Sequence, residues 1–536
     1  MIIEEEIDAK KFTEGKRNYV ELFAGCGGMS LGIESVGFDR IFANELSPMA
    51  AATYSYNLIH KKKTVSDDPE EWFTRLYSPE KLGGYEKDPR KYLKKRVSDK
   101  AIKKLCKLDG EMFVGGINQL NQALQKGPQS LLGKLELDLL SGGPPCQSFS
   151  LAGQRQQDNA RNSLPFEFVK CADLLRPKVV LLENVSGILS PFVDKEGNKW
   201  HAWYEVAKAF YTKGYIPICT HAESQKYGVP QRRPRFLMVA LRNDIANQAV
   251  KRLRNLPNIP LLEWQSTRLA IENSLNHFRR FGGTLESGPS SFDLIEPNHN
   301  WPQMLLPLDE RSIDVESAID GLTQSGSTKD KAYLKIISSS FDHVTGSKIL
   351  HQNGPDETLN RAERRHSLIV KARFRLLRLL ANHFCVKIDN KQLQNADEKH
   401  LRWLLGQKLI FPFDEVDGIR EPENMHELKS LIKDLESKKH SQRALIYNQI
   451  APAQLSIPDD LAHYSEDRTL TVREMARIQS FPDWFEFKGK VTTGGTQRAY
   501  EVPRYTQVGN AVPPLMARQI AKGVMDFLNL VDHRNE

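Results

Sequence analysis

The sequence predicts an α/β protein in which a mostly parallel sheet is interrupted by a second, inserted domain. In the first 243 residues, short apolar runs alternate with segments of helical periodicity. This alternation is lost after about residue 244 and returns near residue 468. Apolar strands separated by helices form parallel sheets that helices cover on both faces. We therefore assign residues 1–243 and 467–536 to one discontinuous domain and residues 244–466 to the inserted domain.

Short apolar runs mark the strands of the predicted sheet. Between the second and the third of these runs, residues 51–112 are rich in charge and tyrosine and lack clear periodicity. We interpret these residues as an insertion at the surface. The predicted strands are 19–23, 41–45, 137–143, 179–185 and 235–241.

The rest of the chain contains irregular segments and helical patterns. Residues 244–345 contain many proline and serine residues and predict irregular structure. Two basic amphipathic stretches predict helices at 361–384 and 424–440. The returning α/β pattern predicts helices at 471–481 and 513–531.

Composition indicates a soluble globular protein of the cytoplasm, with no membrane association. Of the 536 residues, 40% are hydrophobic and 26% are charged, as in ordinary soluble proteins. No apolar run approaches the ~18 residues of a membrane span, and the N-terminus has no secretory signal. The cysteines lack paired or metal-type spacing, which predicts reduced thiols, no disulfide and no bound metal. They are Cys26, Cys106, Cys146, Cys171, Cys219 and Cys385.

Two basic runs add to a net charge of +8 and favour a nucleic-acid partner. Residues 87–104 contain nine basic and two acidic residues, and residues 361–378 contain seven basic and one acidic. If the second run contacts phosphates, Arg364, Arg365 and Arg375 are its candidates. The alternative is a solvated helix face that supports the apolar side beneath it.

A glycine-rich turn follows the first predicted strand. The segment FAGCGG at 23–28 lies between a strand and a helix, where glycines allow a ligand to approach the backbone closely. Glu45 ends the next strand, where its carboxylate can accept hydrogen bonds from ribose hydroxyls. A dinucleotide would also fit, and any α/β protein can contain such a turn, although the G-x-G-x-x-G spacing is missing.

A cysteine and a glutamate lie at the ends of the next two predicted strands. Cys146 follows the segment GGPP at 142–145, and ligand crevices of open α/β sheets lie at the carboxyl ends of strands. The stiff Pro-Pro turn favours a nucleophile over a small buried hydrophobic residue. Glu183 ends the fourth strand, where it could share a proton with a base nitrogen or form a strand-end ion pair.

Arginines precede the fifth predicted strand in the segment QRRPR at 231–235. Alternate side chains of an extended segment face the same way, so Arg233 and Arg235 are expected to point together. Two guanidinium groups beside a thiolate and a carboxylate could hold a carbonyl oxygen and a phosphate. The alternative is a basic strand at the surface.

Taken in order, these segments resemble the motif set of DNA (cytosine-5)-methyltransferases. The set is ELFAGCGG, NE, SGGPPCQSFS, ENV, QRRPR, RTLTVREMARIQSFPDWF and QVGNAVPP, and it covers about 19–243 and 467–536. Each string is moderately specific, whereas the ordered set is highly specific. The resemblance implies a Rossmann-like, S-adenosylmethionine-dependent methyltransferase fold in which residues 244–466 recognise the target DNA.

The resemblance also implies roles for individual residues. Cys146 would be the nucleophile, Glu183 would hold the N3 proton of cytosine, and Arg233 and Arg235 would support the base and the mobile catalytic loop at 148–164. The cofactor S-adenosylmethionine would be held by residues of the glycine turn, the following strand ends and the C-terminal motif. These are Phe23, Ala24, Gly25, Gly27, Gly28, Glu45, Leu46, Ile117, Asn510 and Val512.

One departure from the family concerns the adenine of the cofactor. The family shows a Gly-Asp-Ile-like turn whose acid contacts the adenine, whereas this chain has Gly115-Gly116-Ile117-Asn118. Because the acid is absent, adenine recognition must come from the backbone, from Asn118 or from elsewhere.

The implied function is methylation of carbon 5 of a cytosine flipped out of double-stranded DNA. The family further implies host-DNA protection in a restriction-modification or phage-defence system, with cognate restriction or defence proteins as partners and a cytoplasmic, nucleoid-associated location. An RNA cytosine-5 methyltransferase is an alternative, but it would lack a recognition domain of about 220 residues. Intact Cys146, Glu183 and Arg235 count against a non-catalytic regulator. A thiol hydrolase or nicotinamide oxidoreductase would explain the cysteine or the glycines, but not both.

Overall fold

The structure is a computed structural model that describes most of the chain. The described residues are 16–59, 72–77, 88–107, 110–126, 135–145, 163–193, 199–255, 261–281, 302, 306–309, 311–322, 332–344, 360–407, 409 and 419–532.

Strands and helices alternate from residue 18 to residue 281. All five predicted strands are present among them, as β1, β2, β5, β6 and β11, so these predictions are confirmed. The elements are β1 (Asn18–Leu22), α1 (Gly28–Glu34), β2 (Asp39–Glu45), α2 (Pro48–Leu58), β3 (Thr74–Arg75), α3 (Asp99–Lys107), β4 (Met112–Val114), α4 (Ile117–Lys126), β5 (Leu139–Gly142), α5 (Leu164–Leu175), β6 (Val179–Val185), β7 (Phe192–Val193), β8 (Lys199–Trp200), α6 (Ala202–Thr212), β9 (Tyr215–Glu223), β10 (Gln231–Arg232), β11 (Pro234–Arg242), α7 (Asn243–Asn255) and α8 (Leu261–Phe281).

Shorter elements follow in the rest of the chain. The predicted helices at 424–440, 471–481 and 513–531 are present as α14, α15 and α17, whereas the one predicted from residue 361 begins only at Leu368. The elements are α9 (Val315–Ile319), α10 (Ala332–Phe341), α11 (Leu368–Phe384), α12 (Asn390–Gln394), α13 (Glu398–Leu405), α14 (Met425–Asp434), β12 (Arg443–Ala444), β13 (Ala451–Pro452), β14 (Leu461–Ala462), α15 (Val472–Ile478), α16 (Arg504–Asn510) and α17 (Pro514–Val531).

The central sheet has eight strands in the order β3-β4-β2-β1-β5-β6-β11-β9. The strands from β3 to β6 are parallel, and β11 is antiparallel to both β6 and β9. The prediction of a mostly parallel α/β sheet is therefore confirmed. The chain leaves β1 for β2 on one side and later adds β5 on the other side, so the strand order reverses at β1. Ligand crevices lie outside the carboxyl ends of strands at such a reversal.

Residues 372–462 contribute a hydrophobic core of their own. It includes Leu376, Leu377 and Leu380 of α11 with Leu428 of α14, and it is distinct from the two clusters that cover the faces of the sheet. This core lies within the predicted second domain. The domain limits at 244 and 466 stay a prediction.

The irregular structure predicted for residues 244–345 is wrong where helices lie, from α7 and α8 in its first part to α9 and α10 in its last. Two helices, α7 and α8, occupy most of residues 243–281, and α8 packs on the edge of the sheet. Its Ser274 Oγ donates a hydrogen bond to the carbonyl of Pro217 in β9 at 2.5 Å. Neither α7 nor α8 contains a proline, so the composition of the whole range did not represent these two helices.

The surface insertion predicted at 51–112 is wrong at both ends. Residues of α2 are almost all buried, and β3 and β4 belong to the central sheet. The periodicity of α2 is absent because the helix is buried on nearly all sides, with small residues such as Ala51 and Ala52 facing its neighbours. Among the described residues of this range, α3 has exposed charged side chains near the end of the range. No described helix is long and apolar enough to cross a membrane.

Candidate active site

The turn between β1 and α1 has an unusual backbone conformation. Phe23, Gly25 and Gly27 have φ angles of 54°, 54° and 99°, a region that side chains disfavour. The ring of Phe23 stacks on that of Phe168 with the centroids 6.4 Å apart, and the amide of Ala24 donates to the carbonyl of Asn44 at 3.0 Å. These contacts hold the turn at the carboxyl ends of β1 and β2.

Glu45 orders the backbone around this turn. One carboxylate oxygen accepts from the amide of Gly25 at 2.9 Å and the other from the amide of Ser47 at 2.8 Å. Burial raises the pKa of Glu45, and these two hydrogen bonds oppose the rise. Leu46 follows directly and is half-buried.

The space in front of the turn is open. A side chain added at Gly25 would meet no described atom within 4 Å, so a ligand can approach this backbone directly. At Gly28, by contrast, an added Cβ would lie 2.3 Å from the carbonyl oxygen of Val512. The C-terminal motif therefore borders the start of α1, and Asn510 is exposed at the end of α16 nearby.

A second turn borders the same crevice after β4. Val114 pairs with Glu45 across β4 and β2, and the amide of Gly115 donates to the carbonyl of Glu45 at 3.0 Å. Ile117 begins α4 and is buried. The ten predicted cofactor residues thus lie on strand ends and turns at the carboxyl edge of the sheet, on elements that pack against one another.

Glu183 and Arg235 form a buried ion pair at the neighbouring end of the sheet. Arg235 Nε lies 2.6 Å from Glu183 Oε1, and the two side chains are 10% and 11% exposed. Burial lowers the pKa of Arg235, and the charge of Glu183 opposes that shift. The antiparallel register of β11 on β6 brings the two residues together, because Arg235 pairs with Val185 and Leu237 with Glu183.

The turn that leads to Cys146 packs against this ion pair. Asn184 Nδ2 donates to the carbonyl of Pro144 at 2.9 Å. An added Cβ at Gly143 would lie 2.9 Å from Glu183 Oε2, so only glycine lets the carboxylate approach so closely. Cys146 itself, and nearly all of the predicted catalytic loop at 148–164, lie outside the described residues.

The cysteines nearest to the sheet are unsuited to nucleophilic attack. Cys26, Cys171 and Cys219 are buried, and burial raises the pKa of each thiol, that of Cys26 to about 12. A thiol at neutral pH with such a pKa is almost entirely protonated.

Arg233 is held by backbone carbonyls of two distant segments. Its guanidinium donates to the carbonyl of Gly509 at 2.5 Å and to that of Gln454 at 3.0 Å, and the side chain is buried. Arg233 therefore connects the C-terminal motif to the segment that follows β13. Burial lowers the pKa of Arg233, the charge of Arg235 adds to that shift and the charge of Glu183 opposes it, so the expected grouping of the two arginines beside Glu183 stays a prediction.

Three residues that sequence reasoning left without a role contribute to this architecture. Gly143 admits the carboxylate of Glu183, and Asn184 holds the Pro-Pro turn. The buried Gln231 accepts from the amide of Gln454 at 3.0 Å and donates to Gln479 at 2.5 Å. All three lie inside the quoted motifs, so the signal was present in the strings but did not specify a contact.

The second basic run is engaged within the protein. Arg364 pairs with Asp459, Arg375 and Arg378 both pair with Asp467, and the buried Arg373 donates to the carbonyl of Leu435 at 2.6 Å. The expected phosphate contacts of Arg364 and Arg375 are thus not supported, because carboxylates already neutralise both guanidinium groups. Within the part of the chain that the structure describes, no group of His, Cys, Asp and Glu side chains could hold a metal ion.

The fold and the site define an α/β protein with a ligand crevice at a glycine turn and a buried Glu–Arg pair beside a Pro-Pro-Cys turn. A family model described as C-5 cytosine-specific DNA methylase matches residues 17–75 and 92–526. The chain belongs to this family, and its enzyme class is DNA (cytosine-5)-methyltransferase. The match omits only residues 76–91 between its two parts, which is much shorter than the predicted insertion.

Individual relatives resemble the chain over nearly its whole length. Type II methyltransferase M.DdeI of Desulfomicrobium norvegicum is 26% identical over 522 residues, covering 97% of this chain and 91% of the relative. DNA (cytosine-5-)-methyltransferase M.ApeKI of Aeropyrum pernix is 25% identical over 553 residues, covering 96% and 99%. A solved structure assigned as a prophage-encoded DNA modification methyltransferase from E. coli shares the fold. It has a TM-score of 0.51 and 18% identity, and the match covers 96% of this chain and 99% of that one.

Proposed function

We propose that this chain transfers a methyl group from S-adenosylmethionine to carbon 5 of a flipped-out cytosine in a specific double-stranded DNA sequence. The observation that carries the proposal is the buried Glu183–Arg235 pair, which lies against the Gly143-Pro144 turn three residues before Cys146. This arrangement brings a carboxylate and a guanidinium next to the chain segment that carries the thiol.

The residues of this site suit covalent catalysis on a cytosine ring. The Cys146 thiolate forms a bond to carbon 6, which moves electron density to carbon 5 and onto N3 and O2. Glu183 holds the proton at N3, and Arg235 orients Glu183 and stabilises the charge on the ring. S-adenosylmethionine, held by the glycine turn, Glu45 and the C-terminal motif, would supply the electrophilic methyl group for carbon 5. After methylation, a water molecule takes the proton from carbon 5, the electrons of that bond restore the double bond between carbons 5 and 6, and Cys146 leaves as a thiolate.

The crevice residues fit S-adenosylmethionine. Glu45, whose orientation two backbone amides fix, can accept hydrogen bonds from the ribose hydroxyls. The open space at Gly25 admits the ligand to the backbone, and Phe23 and Val512 border the crevice from the two sides.

The second core suits a recognition domain. We assign target recognition to residues 244–466, because base readout needs a separate surface beside the catalytic sheet. The cytosine must leave the helix before Cys146 and Glu183 can reach it, which costs a few kcal/mol. We further propose that the enzyme protects host DNA in the nucleoid, together with a cognate restriction or defence protein.

A trapping experiment tests the proposal. Bisulfite sequencing of DNA from cells that express the protein identifies the methylated site, and a duplex with 5-fluorocytosine at that site is then incubated with protein and S-adenosylmethionine. We expect a denaturation-stable protein–DNA adduct, because fluorine cannot leave carbon 5 as a proton does. The Cys146→Ala protein should form no adduct, and Cys385→Ala, which changes an exposed cysteine, should form it normally. Adduct formation by Cys146→Ala, or modification of tRNA instead of duplex DNA, would contradict the proposal.

A further inference from the structure

The strand end at Gly116 lacks a side chain where the resemblance expects an acid. Gly116 is the second residue after β4, and β4 pairs with β2, whose last residue is Glu45. Gly116 therefore lies at the edge of the crevice that the ribose-binding candidate Glu45 borders.

Two other side chains occupy the space that a residue at this position would need. A Cβ added at Gly116 would lie 2.5 Å from Asn118 Oδ1 and 2.5 Å from Leu93 Cδ2. Both distances are far below van der Waals contact. The amide oxygen of Asn118 and a methyl group of Leu93 thus stand in the place of the absent acid.

The amide of Asn118 has a defined orientation. Its Nδ2 donates to the carbonyl of Leu93 at 3.2 Å, which directs Oδ1 to the other side. No described residue donates a hydrogen bond to this oxygen. The side chain is half-buried, so a ligand can reach it.

The segment 88–97, which contains Leu93, is held firmly against α4. Gln119 Nε2 donates to the carbonyls of Tyr92 at 2.9 Å and Lys95 at 3.0 Å. The ring of Tyr92 stacks on Tyr77 with the centroids 4.8 Å apart. The start of the segment lies in residues 76–91, which the family match omits.

The same segment also reaches the C-terminal part of the crevice. The guanidinium of Arg90 lies 5.6 Å from the centroid of the Tyr500 ring, four residues before α16 begins. The segment therefore connects the start of α4 to the approach of the C-terminal motif.

We propose that Asn118 and Leu93 recognise the adenine of S-adenosylmethionine in place of the absent acid, a proposal that rests on the proposed function. Asn118 Oδ1 accepts a hydrogen bond from the exocyclic amine of the base, and Leu93 packs against the ring. An amide oxygen accepts as a carboxylate does but carries no charge. A base with a 6-oxo group offers no donor at that atom, so the site rejects it.

Isothermal titration of the purified protein with S-adenosylhomocysteine and S-inosylhomocysteine tests the proposal. We expect wild type to bind the adenosine compound more tightly. Asn118→Ala should weaken that binding about 5–10-fold, the scale of one hydrogen bond, and leave the inosine compound unchanged. Asn118→Asp should keep the preference for adenosine. Gln122→Ala, which changes an exposed side chain on the same helix, should behave as wild type.

Two further variants keep the test decisive. Leu93→Ala should weaken the binding of both compounds, because packing of Leu93 against the ring does not depend on the substituent at position 6. If Asn118→Ala lowers the unfolding temperature of the free protein, Asn118→Ser, which also lacks the amide oxygen, replaces it in the test. Unchanged affinities, or equal losses for both compounds with Asn118→Ala, would overturn the role of Asn118. Failure of the wild-type protein to bind either compound would instead contradict the proposed cofactor.

Discussion

Glu183 and Arg235 illustrate how much of this site depends on single residues. A buried ion pair contributes little net stability, because desolvation offsets most of the attraction between the charges. Its value lies in orientation, since Arg235 fixes one oxygen of Glu183 and the missing side chain of Gly143 leaves room for the other. The ion pair and the adjacent glycine together fix the orientation of the Glu183 carboxylate.

Glu183→Gln should slow methyl transfer by roughly 10²–10⁴-fold, the usual effect of losing a positioned acid–base group. The amide keeps the shape of the carboxylate, so affinity for DNA should change little. Single-turnover rates and DNA affinity, measured together, check both expectations. Glu398→Gln, which changes a surface residue, is the control. A collapse of DNA binding with an unchanged rate constant would make Glu183 a structural residue.

Sequence reasoning located Glu183 and Arg235 together but did not identify the backbone partners of Arg233. The strand-end positions follow from local patterns, because an apolar run and its last residue can be read directly. The partners of Arg233, Gly509 and Gln454, lie more than 200 residues away in the chain. No local pattern encodes such a contact.

At the scale of single elements, side chains of β1 form a buried polar network with the helices α1 and α2. Glu21 pairs with Ser30 of α1, whose hydroxyl also contacts Tyr19 and Tyr54. Burial raises the pKa of Glu21 to about 8. The folded protein therefore keeps a proton that the unfolded chain releases near its ordinary pKa of 4.5.

Glu21→Gln should make unfolding less dependent on pH. Because the pKa of Glu21 is raised in the folded state, its contribution to stability is fully present below pH 4.5 and is lost as the pH rises towards 8. Glutamine does not titrate, so this dependence is absent from the variant. Between pH 4.5 and 8, the unfolding free energy of the variant should therefore rise relative to that of wild type by up to about 1.4 kcal/mol per pH unit. Urea unfolding of both proteins at pH values of about 5.5, 6.5 and 7.5 measures this difference in unfolding free energy. Parallel curves for the two proteins would contradict the expectation.

The elements themselves were predictable to different degrees. The run VVLLENV marks β6 from first to last residue, because a strand buried on both faces is continuously apolar. β9 was missed because its sequence, YIPICTHAE, contains proline and polar residues, which an edge strand tolerates. The reversed direction of β11 could not be predicted, because strand direction depends on long-range pairing.

Across the whole molecule, arginines connect the second core to the returning α/β segment. Arg375 Nη2 lies 2.5 Å and Arg378 Nε 2.7 Å from Asp467, which stands where the catalytic segment was predicted to resume. On the other side of this junction, Arg468 pairs with the buried Glu474 of α15. The basic run thus joins two parts of the protein.

Arg375→Ala should lower stability without changing the salt dependence of DNA binding. It leaves the partly buried Asp467 with one partner fewer, at a cost of about 1–3 kcal/mol in unfolding free energy. A phosphate contact would instead add about 0.9 to the slope of log affinity against log salt. Urea unfolding and DNA binding at several salt concentrations separate the two. Arg402→Ala, at an exposed position of α13 outside the basic run, is the control, and a slope lowered by Arg375→Ala and not by this control would restore the phosphate role.

The contact between Arg17 and Asp532 suits the enzyme to circular permutation, in which the chain would begin and end at a different point. Arg17 lies just before β1 and also pairs with Asp138 at 3.2 Å, while Asp532 follows α17. Helices α1 and α17 approach so closely that an added Cβ at Gly32 would lie 2.5 Å from that of Ala517. The first and last described parts of the chain thus lie next to each other. The site depends on the contacts between these parts and not on the order in which they are connected along the chain. A short linker from 532 to 16, with a new start inside the second core, should give a circular permutant that still assembles the crevice.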